Sequence, residues 1–496
     1  MVYSFHHFYY WLKGGVETGL AYRAKLFREL GVGAKFVFAT PFPDNNIQHE
    51  TSRLGFLDSE VIWMYSFFTD CKVAPCSYTL TAFCNNLGKQ PYKLIRDDDV
   101  VHIRMLNGDC RYILHMTDEN SDAIRSVSVL YHECLLRKDY YTYIRIYSEF
   151  YTPKNHRASL YLRRFYNEDG TTAYEELIDA AETGNEKVMY KFPDRVLYSR
   201  EELVGYMMER LSLTKDDVVL IDGEPGNIDR SAFILNASPA KVGFIIHADH
   251  VLSQDEDTIQ WYDIYSYAFM HPEKIDFFIT NTELQSQMLQ KQLLKFRGVD
   301  KTVLTIPASG IDECKYCEKR KQHGLITVGR LAPEKNTDMV IRAVVEARKT
   351  IPDLTLDIFG EGMEKENLQK LIKQLGCENY VKLCGFQKLE NLYQTYDAYI
   401  TASFIETLGI TYLEAVGAGL PIVGFDIPYG AQVFIDEGKN GYRTRYGDVA
   451  GLAQCVEKLF LESDMEGFRK RSYELATGYL KAEVKQRWQT ILNTEE

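Results

Sequence analysis

The sequence predicts an α/β protein with two parallel-sheet domains that face a cleft and a large β-rich insertion in the first domain. Three observations support this prediction: a strand–helix–strand unit within the first forty residues, a return of buried-strand patterns after residue 213, and a second series of strands and helices from Gly324. Because alternating strands and helices specify a parallel sheet, both series are typical of Rossmann-like domains.

The first unit begins with an apolar segment and reaches the glycine pair Gly14 and Gly15 before a helical stretch from Thr18 to Leu30. A turn at residues 31–33 and the strand 34–38 follow. Glycine tolerates the backbone conformations that tight turns require, so this segment is interpreted as the opening of an α/β fold.

Residues 46–213 break this pattern. Short strand-like runs, such as 140–151 and 158–166, are separated by turn signals, and residues 167–170 are typical of a hairpin turn. A structureless connection of this length is implausible inside a compact domain, so we predict a largely antiparallel insertion.

Parallel α/β organisation resumes with predicted strands at 217–222, 241–247 and 275–279, whose apolar character is continuous, as in strands covered on both faces. The second series contains further predicted strands at 324–328, 354–359, 380–383, 398–401 and 420–425, and terminal helices are predicted from about Glu466 to Leu492. The predicted domains are residues 1–45 with 214–308, the insertion 46–213, residues 309–478, and a C-terminal helix at 479–496.

The composition excludes several classes of protein. A formal charge of −13 at pH 7 argues against a general binder of nucleic acid or anionic membranes, which needs an exposed basic surface. The N-terminus lacks the pattern of a signal peptide, and no apolar run approaches the ~20 residues of a membrane span. The ten cysteines are scattered through a chain far larger than a secreted disulfide scaffold. We therefore expect a cytoplasmic protein.

Candidate binding residues follow two strands of the second series, at the edge where parallel sheets bind ligands. Arg330 and Lys335 follow the strand that ends at Val328, and two cations at the start of a helix can surround a diphosphate. A solvated basic turn is the alternative. Glu406 and Glu414 follow the strand near residue 401, and their carboxylates can accept hydrogen bonds from sugar and ribose hydroxyls.

Other candidates are backbone groups and one histidine. Thr407, Leu408 and Gly409 lie between the two glutamates, where the start of the helix can expose amides to a ligand. The glycine pair at 14–15 can approach a phosphate closely, although a plain turn is the commoner explanation. His247 ends a buried strand; we expect it to hydrogen-bond a sugar hydroxyl, with a structural histidine as the alternative.

No metal site is predicted. His247 and His250 lack further ligands at a familiar spacing, and Cys314 and Cys317 form the only CxxC pair in the chain. The run Asp97-Asp98-Asp99 is interpreted as solvated surface charge. We expect neither a metal nor another cofactor.

A glycine pair after the first strand, Arg-x4-Lys and Glu-x7-Glu together form the motif set of the retaining glycosyltransferases of family 4, which have the GT-B fold. The chain resembles this family across both Rossmann-like domains. It is more similar still to the accessory-Sec glycosyltransferases, which modify serine-rich repeat adhesins in Gram-positive bacteria. That closer resemblance rests on residues 15–17, 21–25, 47–49, 55–58, 136–140, 163–166, 168–170 and 191–195. The chain departs from the family at Thr407, where glycine or a similar small residue is usual.

The resemblance implies a metal-independent enzyme that uses UDP-N-acetylglucosamine or UDP-glucose and forms an α-linkage by front-face displacement. The leaving diphosphate would accept the acceptor's proton, so the protein would act by positioning and electrostatic stabilisation. Arg330 and Lys335 would neutralise the diphosphate, helped by the N–H of Gly15.

The resemblance also implies two kinds of contact to the rest of the donor. Glu406 would hold the ring hydroxyls of the sugar and Glu414 the ribose hydroxyls. His247 would contact the sugar near its reacting carbon. The implied catalytic set is therefore Glu406 and His247 together with the two cations.

The implied acceptor is a serine-rich repeat adhesin, modified on Ser/Thr hydroxyls before export. The implied partner is a paralogous GtfB-type subunit in a hetero-oligomer. The first Rossmann-like domain would form the acceptor side, the second would bind the UDP-sugar, and the insertion would bind partner and acceptor. The enzyme would act in the cytoplasm, or peripherally at the cytoplasmic face of the membrane. Two alternatives stay open: a teichoic-acid α-glycosyltransferase, which would share the donor site, and a non-catalytic GtfB-type subunit, which would lack part of it.

Overall fold

The computed structural model describes residues 1–6, 15–41, 46–154, 157–180, 186–223, 230–317, 319–387 and 391–492. The chain forms two compact units. Unit 1 comprises Met1–Leu12 and Gly33–Gly243, and unit 2 comprises Lys13–Val32 and Phe244–Glu496.

The chain opens with the predicted strand, helix and strand: β1 (Val2–His6), α1 (Gly15–Glu29) and β2 (Ala34–Phe38). Helix α2 (Ile47–Leu54) then leads to β3 (Val61–Trp63), which pairs in parallel with β2. Since β3 extends the parallel sheet, the antiparallel part of unit 1 begins later than the predicted insertion at residue 46.

The antiparallel sheet of unit 1 has ten strands among the described residues, each paired with the next along the chain. After α3 (Leu80–Asn86) they are β4 (Tyr92–Asp97), β5 (Val100–Met105), β6 (Cys110–Met116), β7 (Ile124–Tyr131), β8 (Cys134–Tyr141), β9 (Arg145–Lys154), β10 (Arg157–Tyr166), β11 (Thr172–Ala180), β12 (Glu186–Lys191) and β13 (Val196–Leu197). The predicted hairpin turn joins β10 to β11, and Gly170 has the positive φ of 82° that such a turn requires.

The prediction of a single strand from Tyr140 to Tyr151 is wrong, because this segment contains two strands. β8 ends at Tyr141 and β9 begins at Arg145. The intervening residues 142–144 are Thr, Tyr and Ile, all strong strand formers, so this turn carries none of the Gly, Pro or Asn signals by which turns are recognised.

A buried ion-pair network crosses three strands of this sheet. Arg163 of β10 pairs with Glu149 of β9 and with Glu176 of β11, each at 2.9 Å. Tyr140 and Tyr151 donate hydrogen bonds to Glu149 at 2.8 and 2.6 Å. Both carboxylates are almost completely buried, so their charges are compensated inside the protein rather than by water.

Unit 1 then returns to the parallel sheet. The next elements are α4 (Arg200–Leu211), β14 (Val218–Gly223) and α5 (Ser231–Asn236), followed by β15 (Lys241–Ile246), whose first three residues belong to unit 1 and last three to unit 2. β14 pairs in parallel with β1, which gives the strand order β14-β1-β2-β3. The predicted strand at 217–222 is confirmed with a shift of one residue.

Unit 2 contains an antiparallel hairpin, a parallel strand pair and a six-stranded parallel sheet. The first elements are β16 (Val251–Gln254), β17 (Ile259–Trp261), α6 (Asp263–Met270), β18 (Phe277–Thr280), α7 (Glu283–Arg297) and β19 (Val303–Thr305). The elements of the larger sheet and its helices are β20 (Lys321–Val328), α8 (Thr337–Ala347), β21 (Thr355–Phe359), α9 (Lys365–Gln374), β22 (Val381–Gly385), β23 (Tyr396–Ile400), α10 (Ile410–Gly417), β24 (Ile422–Asp426), α11 (Gly430–Phe434), β25 (Gly441–Arg445), α12 (Val449–Glu462), α13 (Met465–Thr477) and α14 (Lys481–Leu492).

The strand order of the six-stranded sheet is β22-β21-β20-β23-β24-β25. The predicted strands of the second series are confirmed, but β25 was not predicted. Its sequence contains two arginines, and it lies at the edge of the sheet, where a strand need not be continuously apolar. β23, at the centre, is buried along its whole length.

Four short 3-10 turns complete the described elements, at Asp58–Glu60, Pro272–Lys274, Pro333–Lys335 and Tyr393–Thr395. Within the described ranges, no helix combines the length and apolar character needed to cross a membrane.

Candidate functional site

The candidate site lies where the winding of the six-stranded sheet reverses. From β20 the chain continues to β21 on one side, and the neighbour on the other side is β23. Loops that follow two such strands diverge and leave a crevice, which is where open α/β sheets bind ligands. The loop after β20 carries Arg330 and Lys335, and the loop after β23 carries Glu406.

The structure joins these two loops directly. The ammonium of Lys335 donates a hydrogen bond to the carboxylate of Glu406 and forms an ion pair with it. The backbone N–H of Phe404 donates to the carbonyl of Glu334 at 2.9 Å. Two motifs that are 71 residues apart are therefore in contact.

Arg330 lies at the rim of this site. Its guanidinium donates to Glu334 at 2.9 Å, and both side chains are about two-fifths exposed, at 43% and 40%. An ion pair this accessible to water stabilises little. The guanidinium can therefore exchange its carboxylate for a ligand phosphate at low cost.

The start of α10, directly after the Glu406 loop, provides backbone donors. Gly409 has φ 69°, and a Cβ on it would lie 2.3 Å from the ring of Tyr412, so this position requires glycine. No side chain caps the helix there, which leaves N–H groups of its first turn for an anion. A Cβ on Gly15 would lie 3.6 Å from Ile410, so the second glycine of the pair is adjacent to the same helix start. Gly14 lies outside the described residues.

Glu414 is largely buried within α10. The hydroxyl of Tyr393 donates to its carboxylate at 2.7 Å. Burial raises the pKa of Glu414, and the hydrogen bond from Tyr393 and the charge of Lys315 oppose that rise only in part. The ionised form of a buried carboxylate is stabilised when further hydroxyl donors, such as those of a ribose, bind to it.

The segment after β15 is also tied to the Glu406 loop. The hydroxyl of Thr407 donates to the carbonyl of His247 at 2.6 Å. Thr407 is only 8% exposed, so the residue that departs from the family pattern serves a contact within the protein. The side chain of Leu408 packs in the hydrophobic core, which leaves its backbone as the part that can meet a ligand.

The residues considered for metal binding have other roles. His250 is buried, and its ring exchanges hydrogen bonds with Gln292 at 2.8 Å and Gln285 at 3.4 Å. Burial lowers its pKa, which favours the neutral ring. In the part of the chain that the structure describes, no group of three or more His, Cys, Asp or Glu side chains is arranged to hold a metal ion.

Two further groups were considered in the sequence. Asp97 is the last residue of β4, and Asp98 and Asp99 form the turn to β5; Asp97 and Asp98 are exposed. Cys314 and Cys317 are free thiols.

Three features of the site were not predicted from the sequence. Gly360 and Gly362 follow β21, and Cβ atoms on them would overlap the backbone of the Arg330 loop at 1.8 and 2.3 Å from carbonyl oxygens. The Gly-x-Gly spacing after a strand was a usable signal. Tyr393 and Tyr429 also contact the site, but nothing in their local sequence marks them.

Two family models match the chain. The GtfA extended beta-sheet domain matches residues 93–194, which coincide with the antiparallel sheet. Glycosyl transferases group 1 matches residues 315–474, which contain the six-stranded sheet and the candidate site.

Several known proteins are similar to this chain over nearly its whole length. A protein of Streptococcus gordonii, described as the UDP-N-acetylglucosamine–peptide N-acetylglucosaminyltransferase GtfA subunit, is 39% identical over 97% of this chain and 96% of its own length. The structure of the pneumococcal O-GlcNAc transferase GtfA in complex with UDP and GlcNAc is 36% identical, with a TM-score of 0.91, and covers 99% of this chain and 98% of that one. A chain in the structure of a GtfA/B complex is 37% identical, with a TM-score of 0.92, and covers 99% of each chain.

Proposed function

Because the chain belongs to the GtfA family of glycosyltransferases, we propose that it transfers N-acetylglucosamine from UDP-N-acetylglucosamine to hydroxyl groups of a polypeptide. The chain is a glycosyltransferase with the GT-B fold, as its motifs predicted. The choice of sugar follows the relatives, whose names specify UDP-N-acetylglucosamine; glucose was the other donor left open by the sequence.

The observation that carries this proposal is the ion pair between Lys335 and Glu406, because it brings the cation motif and the carboxylate motif to one strand edge. Arg330 and Lys335 neutralise the diphosphate of the donor. Glu406 holds the sugar hydroxyls and Glu414 holds the ribose. A non-catalytic subunit would be expected to lack part of this set, so the complete set favours the enzyme.

The remaining donor contacts come from the backbone and from one histidine. We expect the N–H groups at Gly15 and at the start of α10 to extend the positive environment of the diphosphate. His247 contacts the sugar near its reacting carbon. The sugar is transferred with retention, and the leaving diphosphate takes the proton of the acceptor hydroxyl. The protein contributes charge stabilisation and orientation, so neither a metal ion nor a nucleophilic side chain is required.

The direct test incubates the purified chain with UDP-N-acetylglucosamine, UDP-glucose or UDP-galactose and a serine-rich peptide, and identifies products by mass spectrometry. We expect addition of N-acetylglucosamine to the serine peptide and none to a matched peptide with alanine in place of serine. Activity should persist in EDTA. Loss of turnover in EDTA that Mn²⁺ restores would contradict the metal-independent mechanism. Transfer only to poly(glycerol-phosphate) would support the teichoic-acid alternative instead.

We propose further that the acceptor is a serine-rich repeat adhesin, modified in the cytoplasm before export, and that the chain works with a GtfB-type subunit. The antiparallel sheet supplies a surface for that partner. Its edge strand β4 has neighbouring exposed apolar residues, Leu94 at 40% and Ile95 at 50%. An edge strand also presents unpaired backbone groups, which favours association with another chain.

The partner surface is tested by pull-down of a GtfB-type subunit with the Leu94→Asp/Ile95→Lys double variant. We expect loss of partner binding with UDP affinity unchanged, because β4 and the donor site are in different units. Leu461→Asp is the matched control, since Leu461 is an exposed leucine of α12. Normal partner binding by the double variant would place the interface elsewhere.

A further inference from the structure

Tyr429 has a backbone conformation that residues other than glycine rarely adopt. Its φ is 65° and its ψ is −92°, close to the strained classic γ-turn, and its side chain is 1% exposed. Such a conformation persists only where the surrounding contacts determine it, and these outliers cluster at functional sites. The contacts of Tyr429 therefore indicate what its conformation serves.

The backbone at Tyr429 holds the Glu406 loop. Glu406 and Tyr429 form an isolated parallel bridge, in which the N–H of Gly430 donates to the carbonyl of Glu406 at 2.9 Å. A Cβ on Gly430 would lie 3.0 Å from the carbonyl oxygens of both Glu406 and Leu408. The close approach of the two loops thus depends on the conformation of residues 429 and 430.

The side chain of Tyr429 points to the segment that follows β15. Its hydroxyl donates to Asp249 at 3.1 Å, and its ring stacks on His250 with centroids 6.1 Å apart. His250 is itself fixed by Gln292. Tyr429 therefore connects Glu406 on its backbone side with residues 249–250 on its side-chain side.

Thr407 forms a second connection between the same two segments, because its hydroxyl donates to the carbonyl of His247 at 2.6 Å. We infer that Tyr429 and Thr407 are positioning residues, whose hydroxyls hold His247 against the Glu406 loop so that both residues contact one donor sugar. This inference rests on the proposed roles of Glu406 and His247. Neither hydroxyl needs to touch the substrate.

The role inferred for the two hydroxyls affects catalysis but not nucleotide binding. A misplacement of about 1 Å in the reacting groups can reduce the rate about 100-fold. The diphosphate and ribose contacts proposed for Arg330, Lys335 and Glu414 do not involve these hydroxyls. Loss of either hydroxyl should therefore lower kcat and leave the affinity for UDP unchanged.

The test compares Tyr429→Phe and Thr407→Val, which remove the hydroxyls while keeping the size of each side chain. We expect kcat for transfer and for UDP-sugar hydrolysis to fall by about 10- to 100-fold in each variant, with unchanged UDP affinity by calorimetry. Thr407→Ser restores a hydroxyl and should recover most of the rate. Tyr442→Phe is the matched control, because the Tyr442 hydroxyl bonds Ser463 in the same unit.

Hydrogen exchange gives a readout that does not depend on activity. We expect faster exchange at residues 247–251 in Tyr429→Phe and Thr407→Val, and no change there in Tyr442→Phe. An active wild-type enzyme with normal kcat in both variants would overturn the positioning role alone. A loss of kcat accompanied by equal loss of UDP affinity and thermal stability would also overturn it. An inactive wild-type protein would overturn the proposed function, while exchange would still decide whether the hydroxyls hold the segment.

Discussion

Lys335 is bound to Glu406, so the cation proposed for the diphosphate and the carboxylate proposed for the sugar neutralise each other. A diphosphate bound at Lys335 would compete with Glu406 for the same ammonium. Glu406 would then be free to accept hydrogen bonds from sugar hydroxyls. We therefore expect donor binding and placement of the proposed sugar-binding carboxylate to be coupled through this one ion pair.

Glu406→Gln should reduce transfer about 100-fold or more, the scale of a lost positioning contact. UDP affinity should not fall, because the variant removes the carboxylate that competes for Lys335. Initial rates and calorimetry measure the two effects. Glu346→Gln is the control, since Glu346 is exposed on α8 and pairs with Lys349 just after the helix. Near-normal turnover of Glu406→Gln would refute the assigned role.

Arg330→Ala and Lys335→Ala should each weaken UDP binding. A hydrogen bond to a charged group contributes about 1.5–3 kcal/mol, which corresponds to a rise in Kd of about 10- to 150-fold. Titration calorimetry with UDP measures the change, and Lys349→Ala is the matched control. Unchanged UDP affinity in both variants would show that the nucleotide binds elsewhere.

The sequence predicted those features of the fold that have a local signal. Strand β2 and the turn at Gly170 were found because periodicity and turn chemistry are written into a few adjacent residues. The turn at residues 142–144 was missed because it is made of strand formers. The edge strand β25 was missed because its charged residues interrupt the apolar pattern by which buried strands are recognised.

The same distinction applies to the candidate site. Arg330, Lys335 and Glu406 follow predicted strands, so their proximity could be inferred from the rule that parallel strands end at one edge. Tyr393 contacts Glu414 across 21 residues, and Tyr429 contacts Asp249 across 180 residues. Such contacts exist only in the folded chain, and no local pattern encodes them.

The affinity for UDP should depend on pH through Glu414. Burial raises the pKa of this carboxyl, so in the free protein it holds its proton up to a higher pH than an exposed glutamate does. Ribose hydroxyls donate more strongly to the ionised form, so UDP affinity should rise as pH increases through the raised pKa, with release of a proton on binding. Calorimetry in buffers of different ionisation enthalpy measures that proton.

The contribution of Glu414 to the free energy of unfolding changes with pH in the opposite direction. A carboxyl with a raised pKa in the folded state stabilises the fold below its unfolded pKa, and this contribution is lost as pH rises through the folded pKa. In Glu414→Gln, both pH dependences should flatten. Glu366→Gln changes an exposed carboxyl of α9 and should leave both intact. Equal proton release by Glu414→Gln and wild type would exclude Glu414 as the source.

The buried pairs of Arg163 with Glu149 and Glu176 should be essential to the antiparallel sheet. Arg163→Met would leave two buried carboxylates without their cation and should lower the free energy of unfolding by about 3–5 kcal/mol at neutral pH. Burial alone would raise the pKa of Glu149, but the Arg163 charge and hydrogen bonds from Tyr151, Arg163 and Tyr140 hold it below its ordinary value.

A lowered pKa contributes stability that is present above the unfolded pKa and is lost as pH falls through the folded pKa. The difference between wild type and Arg163→Met should therefore shrink as the solution is acidified, because protonation of Glu149 removes a charge that the variant leaves unpaired. Urea unfolding followed by circular dichroism at several pH values measures this difference. Arg164→Met is the matched control: Arg164 pairs with Glu175 nearer the surface, so its loss should cost no more than about 1 kcal/mol. Equal effects of the two substitutions, or a difference that grows in acid, would show that the Arg163 network does not stabilise the sheet through its charges.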